Sequence, residues 1–553
     1  MPPEGIDSHS DSSSVRRRSV IAWGAVLFVI LITSLIRVHL LEVPLERDEG
    51  EYAYMAQLLL KGVPPYGAAY SMKFPGIYAA YALVMLVFGQ THAGVHLGLI
   101  VVNAATAVLV FLLARRLFDP LSGAAAGACF SVLSLSKTVQ GMMANAEHFV
   151  ILFAAGGLLL LLQYLEDGRK GKATLFSSGL LLGTSVLMKQ HGAAFVLFAL
   201  IYLAGSLLKK RDTPPRPVFS SIAVFCSGAV LPFAATLVLL LFAGVFERFW
   251  FWTFEYPRAY TSLLGYSEAA YVFKFRATRI LASQLPAVAV AALGLAAVVW
   301  DGNLRKRVFF LLGFTLFSFV SMVPGLHFWP HYFVLVLPAV SLLFGAGVCA
   351  LYRLISGPGK VSRGAVVCSV LALFALAFPL YRERDILLFD TPLMVSRKIY
   401  GYNPFPEAVE VARYIRENSD EGDRIAVIGS EPEIYFYSDR VSATGYIYAY
   451  PLVENHRYAQ MMTQEMIQEV ESARPLFLVF INFRTSWLTT EGYSEKKDHI
   501  FDWFARYAAD YEPVGLAEVV APFETEYYWD EMTPRREPRY KYWIAVYKRR
   551  SPG

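Results

Sequence analysis

Eleven apolar runs constrain what this chain can fold into. The first extends from Val20 to Leu41, about 22 residues, enough to cross a hydrocarbon core of roughly 30 Å as a helix. Further runs lie at about 93–117, 121–138, 148–165, 173–189, 191–208, 217–245, 284–300, 308–325, 331–353 and 364–381. The first run is too long for the apolar region of a cleaved signal peptide and ends in RVHLLEVPLERDE rather than at a small-residue cleavage site, so it reads as a retained span. Across the 553 residues, 56% are hydrophobic and only 17% charged, and the mean hydropathy is +0.43. These values exclude a soluble globular enzyme. The net charge of +5 is small for this length and forms no basic stripe, so no nucleic-acid partner is expected.

Cysteine usage adds no chemistry. Cys129, Cys226, Cys349 and Cys368 all sit inside apolar runs, and no CxxC or Cys/His spacing occurs. Neither a disulfide framework nor a zinc site is expected, and no tightly held metal.

Charge in the connecting loops sets an orientation. Basic residues cluster at Arg16–Arg18, at Arg115 and Arg116, in RKGK (169–172), in KKRDTPPR (209–216), in RKR (305–307) and in YRLISGPGKVSR (352–363). Placing them all in the cytoplasm obeys the positive-inside rule, provided that GIYAAYALVMLVFG (76–89) does not cross. At about 14 residues it is short for a span. The reading is therefore a polytopic α-helical membrane protein of the cell (inner) membrane, with about eleven transmembrane helices over residues 20–382. A disordered cytoplasmic tail (1–19) precedes it. Outer loops at about 43–92 and 246–283, and everything from 383 to 553, face away from the cytoplasm.

The chain changes character after the last run. Of the 45 acidic residues, 28 fall after Tyr381. RIAVIGS (424–430), PLFLVFINF (475–483) and YKYWIAVYKR (540–549) read as strands. They alternate with amphipathic helical patterns at 406–419, 456–474 and 495–511, the mark of an α/β domain. It carries no GxGxxG or Walker motif. Gly429-Ser430 reads as a plain strand-to-helix turn rather than a phosphate loop.

The residues that carry chemistry follow the first span. LERDEGEYAYMAQLLLKGVPPYGAAYSMKFPG (45–76) puts Glu46, Asp48, Glu49 and Glu51 within six positions. On a helix, Asp48 shares a face with Glu51 and Tyr52, and like charges this close perturb one another's titration. Such a cluster has the means to act as a base or to hold a divalent ion loosely; it also suits an acidic cap on an outer helix. Elsewhere, Lys189 and His191 lie between two apolar runs with almost no loop, Glu147 opens another run beside Asn145 and His148, and His331 follows Pro330. Arg258, Lys274, Arg276 and Arg279 are interleaved with aromatic residues in the second outer loop, a pattern shared by an anion grip and an amphipathic surface helix.

The order span–RDEGEYAYMAQLLLKG–PPYG–KFPG, with LARRLFDPLSGAAAG (113–127), MANAEHFVILF (143–153), VLMKQHGAAF (186–195) and HYFVLVLPAVSLL (331–343), resembles a known superfamily. It is that of the protein O-mannosyltransferases and the lipid A aminoarabinose transferase, membrane glycosyltransferases of the GT-C fold, with their bacterial RgtA/B/C/D-like branch. The motif order covers roughly residues 20–350. Two departures stand out: Phe74 where many relatives carry Pro, and Asn145-Ala146-Glu147 where an Asp-centred second acidic site is common.

The resemblance implies transfer of a sugar from a polyprenyl-phosphate donor to an extracytoplasmic hydroxyl of a glycan, lipid or protein, with inversion and no organic cofactor. It makes Asp48, supported by Glu49, the base. Glu51, Lys73, Glu147, Lys189, His191, Arg258, Arg276 and His331 become the substrate-binding set, with the cations and histidines at the donor phosphate. A transporter or flippase of lipid-linked saccharides is the rival reading, but such proteins show internal repeats and charges near the midplane, and neither pattern occurs here. A non-catalytic membrane scaffold is the third.

Overall fold

The computed structural model describes residues 8–166, 171–209, 215–260, 265–356, 361–487, 494–534 and 536–550. Parts of three basic loops, 169–172, 209–216 and 352–363, lie outside these described residues. The first nine helices are α1 (Ser8–His39), α2 (Arg47–Leu60), α3 (Gly76–Phe88), α4 (His92–Leu117), α5 (Pro120–Leu133), α6 (Ala146–Glu166), α7 (Lys172–Met188), α8 (Ala193–Leu208) and α9 (Pro215–Phe242). Every apolar run read from the sequence is helical over most of its length. Residues 1–7 of the expected disordered tail are outside the described residues. From Ser8 the backbone is already helical, because 8–19 contains neither Pro nor Gly to stop α1 extending back.

Among the described residues, seven helices are long and apolar enough to cross a membrane, eight if the bent pair Tyr266–Ser283 and Leu285–Val299, which turns by 99°, counts as one span. The expectation of about eleven is therefore not reproduced by length alone. The runs at 121–138, 173–189 and 308–325 form helices of only 14, 17 and 14 residues. At 1.5 Å per residue these reach about 21–26 Å, short of the hydrocarbon core. Their ends are set by local chemistry: Asp119 caps α5 by accepting from Leu121 and Ser122 N–H, and Ser134 closes it. α3, expected not to cross, has 13 residues.

The chain divides into two compact units. The first comprises 1–39, 99–235 and 266–388. In it α6 packs along α7, α1 along α5, and the helix Leu337–Ile355 against both α5 and Leu285–Ala296. The close approach of helices relies on small residues: a Cβ on Gly294 would meet the Leu343 carbonyl oxygen at 2.0 Å.

The second unit comprises 40–98, 236–265 and 389–553. It thus takes in the first outer loop and the start of the second, whereas the sequence reading groups both loops with the membrane part and begins the C-terminal domain at 383. Its centre is a six-stranded sheet in the order β2-β1-β3-β6-β4-β5, from β1 (Arg424–Ile428), β2 (Val441–Ser442), β3 (Phe477–Asn482), β4 (Tyr511–Ala521), β5 (Glu524–Trp529) and β6 (Trp543–Arg549). β1 is parallel to β2 and β3, and all other pairs are antiparallel. β1 and β3 are buried almost throughout, which is why they read as unbroken apolar runs. The β4–β5 hairpin has no counterpart in the sequence reading. β4 shifts register against β6 between Pro513 and Gly515 and against β5 between Val519 and Ala521, which breaks the two-residue alternation by which strands are recognised.

Candidate active site

α2 begins on a reciprocal cap. The Glu46 carboxylate accepts from Glu49 N–H while the Glu49 carboxylate accepts from Glu46 N–H, which satisfies two orphan donors of the first turn. This fixes the helix immediately after the first span and sends its acids in different directions. Glu49 is wholly buried and faces His96 Nε2 at 3.2 Å. It was expected to assist Asp48 directly; its two oxygens instead serve the cap and His96. Burial, reinforced by the charges of Asp48 and Glu49, pushes the Glu46 carboxyl well above the usual carboxylate range.

Asp48 and Glu51 converge on Lys73. The Lys73 ammonium lies 3.2 Å from Asp48 Oδ1, 3.4 Å from Glu51 Oε2 and 3.2 Å from the Tyr52 hydroxyl. Glu51 is buried and accepts from Ser71 Oγ, from the Tyr78 hydroxyl at 3.0 Å and from the Tyr448 hydroxyl at 2.8 Å. The Asp48 side chain is 24% exposed, against 1% for Glu51 and 0% for Glu49. Of these three acids, Asp48 is the one that an incoming hydroxyl can reach. Lys73, expected to hold a phosphate, already balances two carboxylates. Phe74 turns away into a cluster with Phe249 and Phe254.

Arg47, beside Asp48, locks α2 to the C-terminal segment. Its guanidinium pairs with Glu431 at 2.9 Å, donates to the Ser430 carbonyl and to Asn403 Oδ1, and stacks near Phe405 and Tyr450. Burial works against its charge. Tyr450, Glu431 and Glu433 outweigh that and hold it more firmly protonated than an ordinary arginine. The Ser430 N–H is taken by Glu431 Oε2 and Ser486 Oγ, so Gly429-Ser430 is a turn with its donor spent internally.

A second group of candidates lies in the other unit. Lys189 Nζ is 2.6 Å from Glu147 Oε1, with side chains 4% and 0% exposed. The resemblance gives both to substrate binding; the two form a buried ion pair. The helix break that presents Lys189 depends on Gly192, whose Cβ would meet the Ser185 carbonyl group at 2.5 Å. Tyr332 collects this group: Lys189 lies over its ring at 4.5 Å, and His191 and His331 meet it edge-on. His331 Nδ1 is 3.1 Å from Gln140 Oε1. Both histidines lie within electrostatic reach of Glu147.

The basic residues of the second outer loop are divided between the two units. Arg258 is exposed on Tyr256–Tyr260 in the second unit. Arg276 belongs to the first, where it donates to the His327 carbonyl at 2.8 Å and stacks on Trp329 at 4.5 Å. Its helix, Tyr266–Ser283, leaves Tyr266, Tyr271 and Phe275 exposed, as in an amphipathic surface helix. Among the described residues, no group of three or more His, Cys, Asp or Glu is arranged to hold a metal ion.

Arg37, Arg47, Tyr448 and Tyr450 are not among the candidates read from the sequence. Arg37 carried a visible signal, a charge inside an apolar run. The tyrosines carried none, since their partners lie about 400 positions away.

The sequence model of the family described as dolichyl-phosphate-mannose-protein mannosyltransferase matches residues 72–235. An undecaprenyl phosphate-alpha-4-amino-4-deoxy-L-arabinose arabinosyl transferase of Pseudomonas aeruginosa (strain LESB58) is 27% identical over 384 residues, 63% of this chain and 65% of that protein. One from Pseudomonas paraeruginosa is 27% identical over 378 residues with the same coverage. The chain thus spans slightly less than two thirds of the length of these curated relatives. Among solved structures, ArnT from Cupriavidus metallidurans bound to undecaprenyl phosphate superposes with a TM-score of 0.56 at 14% identity, covering 94% of this chain and 97% of that one. The mycobacterial arabinofuranosyltransferase AftD gives 0.52 at 13% identity, covering 95% and 40%. The chain has the GT-C fold of these proteins and resembles the superfamily of the mannosyltransferases and aminoarabinose transferases.

Proposed function

We propose that the protein is an integral membrane glycosyltransferase that moves a sugar from a polyprenyl-phosphate donor to an acceptor hydroxyl, with Asp48 as the base. The observation that carries this reading is the exposure of Asp48, alone of Asp48, Glu49 and Glu51, beside the Lys73 ammonium. Asp48 takes the acceptor proton as the acceptor oxygen bonds to the anomeric carbon from the face opposite the phosphate. The carbon–phosphate-oxygen bond breaks, the configuration inverts, and the lipid phosphate leaves with the bonding electrons. Lys73 keeps Asp48 and Glu51 from repelling one another and a nearby phosphate. Glu51, held by Ser71, Tyr78 and Tyr448, keeps Lys73 in place.

The donor class rests on the relatives, named for undecaprenyl phosphate-linked aminoarabinose, and on the resemblance in motif order. The acceptor is a hydroxyl of a glycan, lipid or protein. The N-terminus is cytoplasmic and the C-terminal part extracytoplasmic in the cell (inner) membrane, by the distribution of basic loops. A loosely held divalent ion near Asp48 is compatible with this chemistry.

The test is turnover with a panel of polyprenyl-phosphate sugars. Asp48→Asn keeps the shape of the side chain and removes its basicity, so kcat should fall by about 10²–10⁴ with donor affinity within a few-fold of wild type. A near-normal kcat in Asp48→Asn would remove Asp48 as the base. Single cysteines at the exposed positions 61 and 461, in a background without native Cys, should both react with an impermeant reagent on intact cells. Labelling at 461 only in opened cells refutes the orientation.

A further inference from the structure

The first unit contains a buried arginine without a carboxylate. Arg37, on α1, is 5% exposed. One of its terminal nitrogens donates to the Gly141 carbonyl at 3.0 Å; the other donates to the Ser134 carbonyl at 2.7 Å and to Ser134 Oγ at 3.2 Å. Those bonds use three of the five guanidinium N–H protons. The other two have no acceptor among the described residues, and no Asp or Glu there pairs with the charge. An ionised side chain in a membrane bundle is costly unless paired, and marks a functional site by default.

Arg37 lines a small cavity between α1, α4 and α5, with Thr33, Ser34, Asn103, Ser131 and Ser134 as its other polar walls. The hydroxyl protons of Thr33, Ser131 and Ser134 are spent on carbonyls of their own segments. Asn103 donates to the Leu99 carbonyl, while its buried Oδ1 has no partner among the described residues. The cavity therefore offers two charge-assisted donors and an unspent acceptor. The cavity, about 10 Å³, has room for about one oxygen atom; a head-group oxygen that carries a proton, accepting from Arg37 and donating to Asn103 Oδ1, matches both.

The surroundings indicate where that anion comes from. Ile30, Ser34, Ile100 and Ala104 at the cavity are only half-buried. Leu31, Leu35 and Val101 beside them are 55–57% exposed on helices that qualify as membrane spans. Arg37 is two residues, about 3 Å of helical rise, from the end of α1 at His39, the depth of a phosphate head group. We propose that this cavity holds a phosphate oxygen of an anionic membrane lipid, one that carries a hydroxyl on or next to the phosphate. Its acyl chains lie along Leu31, Leu35 and Val101. The site is distinct from Asp48 and Lys73 and does not depend on the transferase reading.

The experiment is native mass spectrometry of the purified, delipidated full chain with phosphatidic acid, phosphatidylglycerol, phosphatidylcholine or inorganic phosphate added. Phosphatidic acid or phosphatidylglycerol should be retained about tenfold better than phosphatidylcholine, which brings no O–H to the buried Asn103 Oδ1 and a choline cation toward the Arg37 charge. Arg37→Gln should remove the preference. Because that change also releases Ser134 and Gly141, Ala104→Leu supplies an independent arm: it fills the cavity, leaves the Arg37 bonds intact, and should reduce retention similarly. Equal retention of all three lipids, or an unchanged preference in Ala104→Leu, overturns the proposal. Displacement of the lipid by equimolar inorganic phosphate overturns the lipid as the source.

Discussion

The Lys189 ammonium stands 2.6 Å from the Glu147 carboxylate, and both side chains are almost wholly removed from solvent. Losing one partner of such a pair strands the other charge, at about 3–5 kcal/mol. Lys189→Met and Glu147→Gln should each lower the melting temperature in detergent substantially. The double variant should be more stable than the sum of the two losses predicts. Strict additivity would show that the pair contributes nothing jointly, and would return Lys189 to a role in substrate binding alone.

Arg47→Ala removes the partner of Glu431, whose side chain is 0% exposed. About 3–5 kcal/mol of stability should be lost, read as earlier proteolysis of the segment after 389 and a lower unfolding midpoint. Arg47→Lys should recover only part of this, because an ammonium cannot reproduce contacts to Glu431, the Ser430 carbonyl and Asn403 together. Full recovery by lysine would mean that charge alone matters there.

Glu454 gives the second unit a pH dependence. Burial pushes its carboxyl up to about 7, against a partial opposing effect from the Tyr256 hydroxyl, which donates to it at 3.0 Å. The folded value lies above the unfolded one, so the fold binds more protons than the unfolded chain between about pH 4.5 and 7. The corresponding stability is present in full below that window and lost as pH rises through about 7. Unfolding followed from pH 5 to 8 should show a decline of the order of 3 kcal/mol that is absent in Glu454→Gln. A decline of equal size in that variant would assign it to other groups.

Gly50 marks the closest approach of α2 to the helix Glu433–Ser438. A Cβ there would lie 2.7 Å from Glu433 Cβ and 2.8 Å from its backbone nitrogen, atoms that cannot swing aside. Gly50→Ala should therefore cost about 1–3 kcal/mol and depress turnover by displacing the turn that carries Asp48. Wild-type stability and activity in this variant would show that the contact yields easily.

What the sequence disclosed was what is local. The apolar runs, the acidic start of α2 and the Lys73-Phe74-Pro75 segment each declare themselves within about 25 residues, and all lie where the motif order suggested. Pairing did not declare itself. Glu49 looks like a second catalytic acid until His96 and the Glu46 cap are seen to take its oxygens. Lys189 and Glu147 each look like ligands for something else until they meet. Helix length was misread for α5, because apolar composition persists beyond Leu133 while the Ser134 cap ends the helix. The β4–β5 hairpin was missed because its register shifts erase the alternation.

The bonds that Arg47, Glu51 and Tyr54 make with Glu431, Tyr448 and Ser442 join positions 384, 397 and 388 residues apart. At a synthesis rate of about 5–20 residues per second, α2 emerges roughly 20–80 s before the partners that complete it. During that interval the Arg47 guanidinium lacks Glu431, Ser430 and Asn403, and Glu51 lacks the Tyr448 hydroxyl. Assembly of the Asp48 turn is therefore among the last events in the birth of the molecule. A chain interrupted late in translation would carry its whole set of membrane helices and still lack the setting in which Asp48 works.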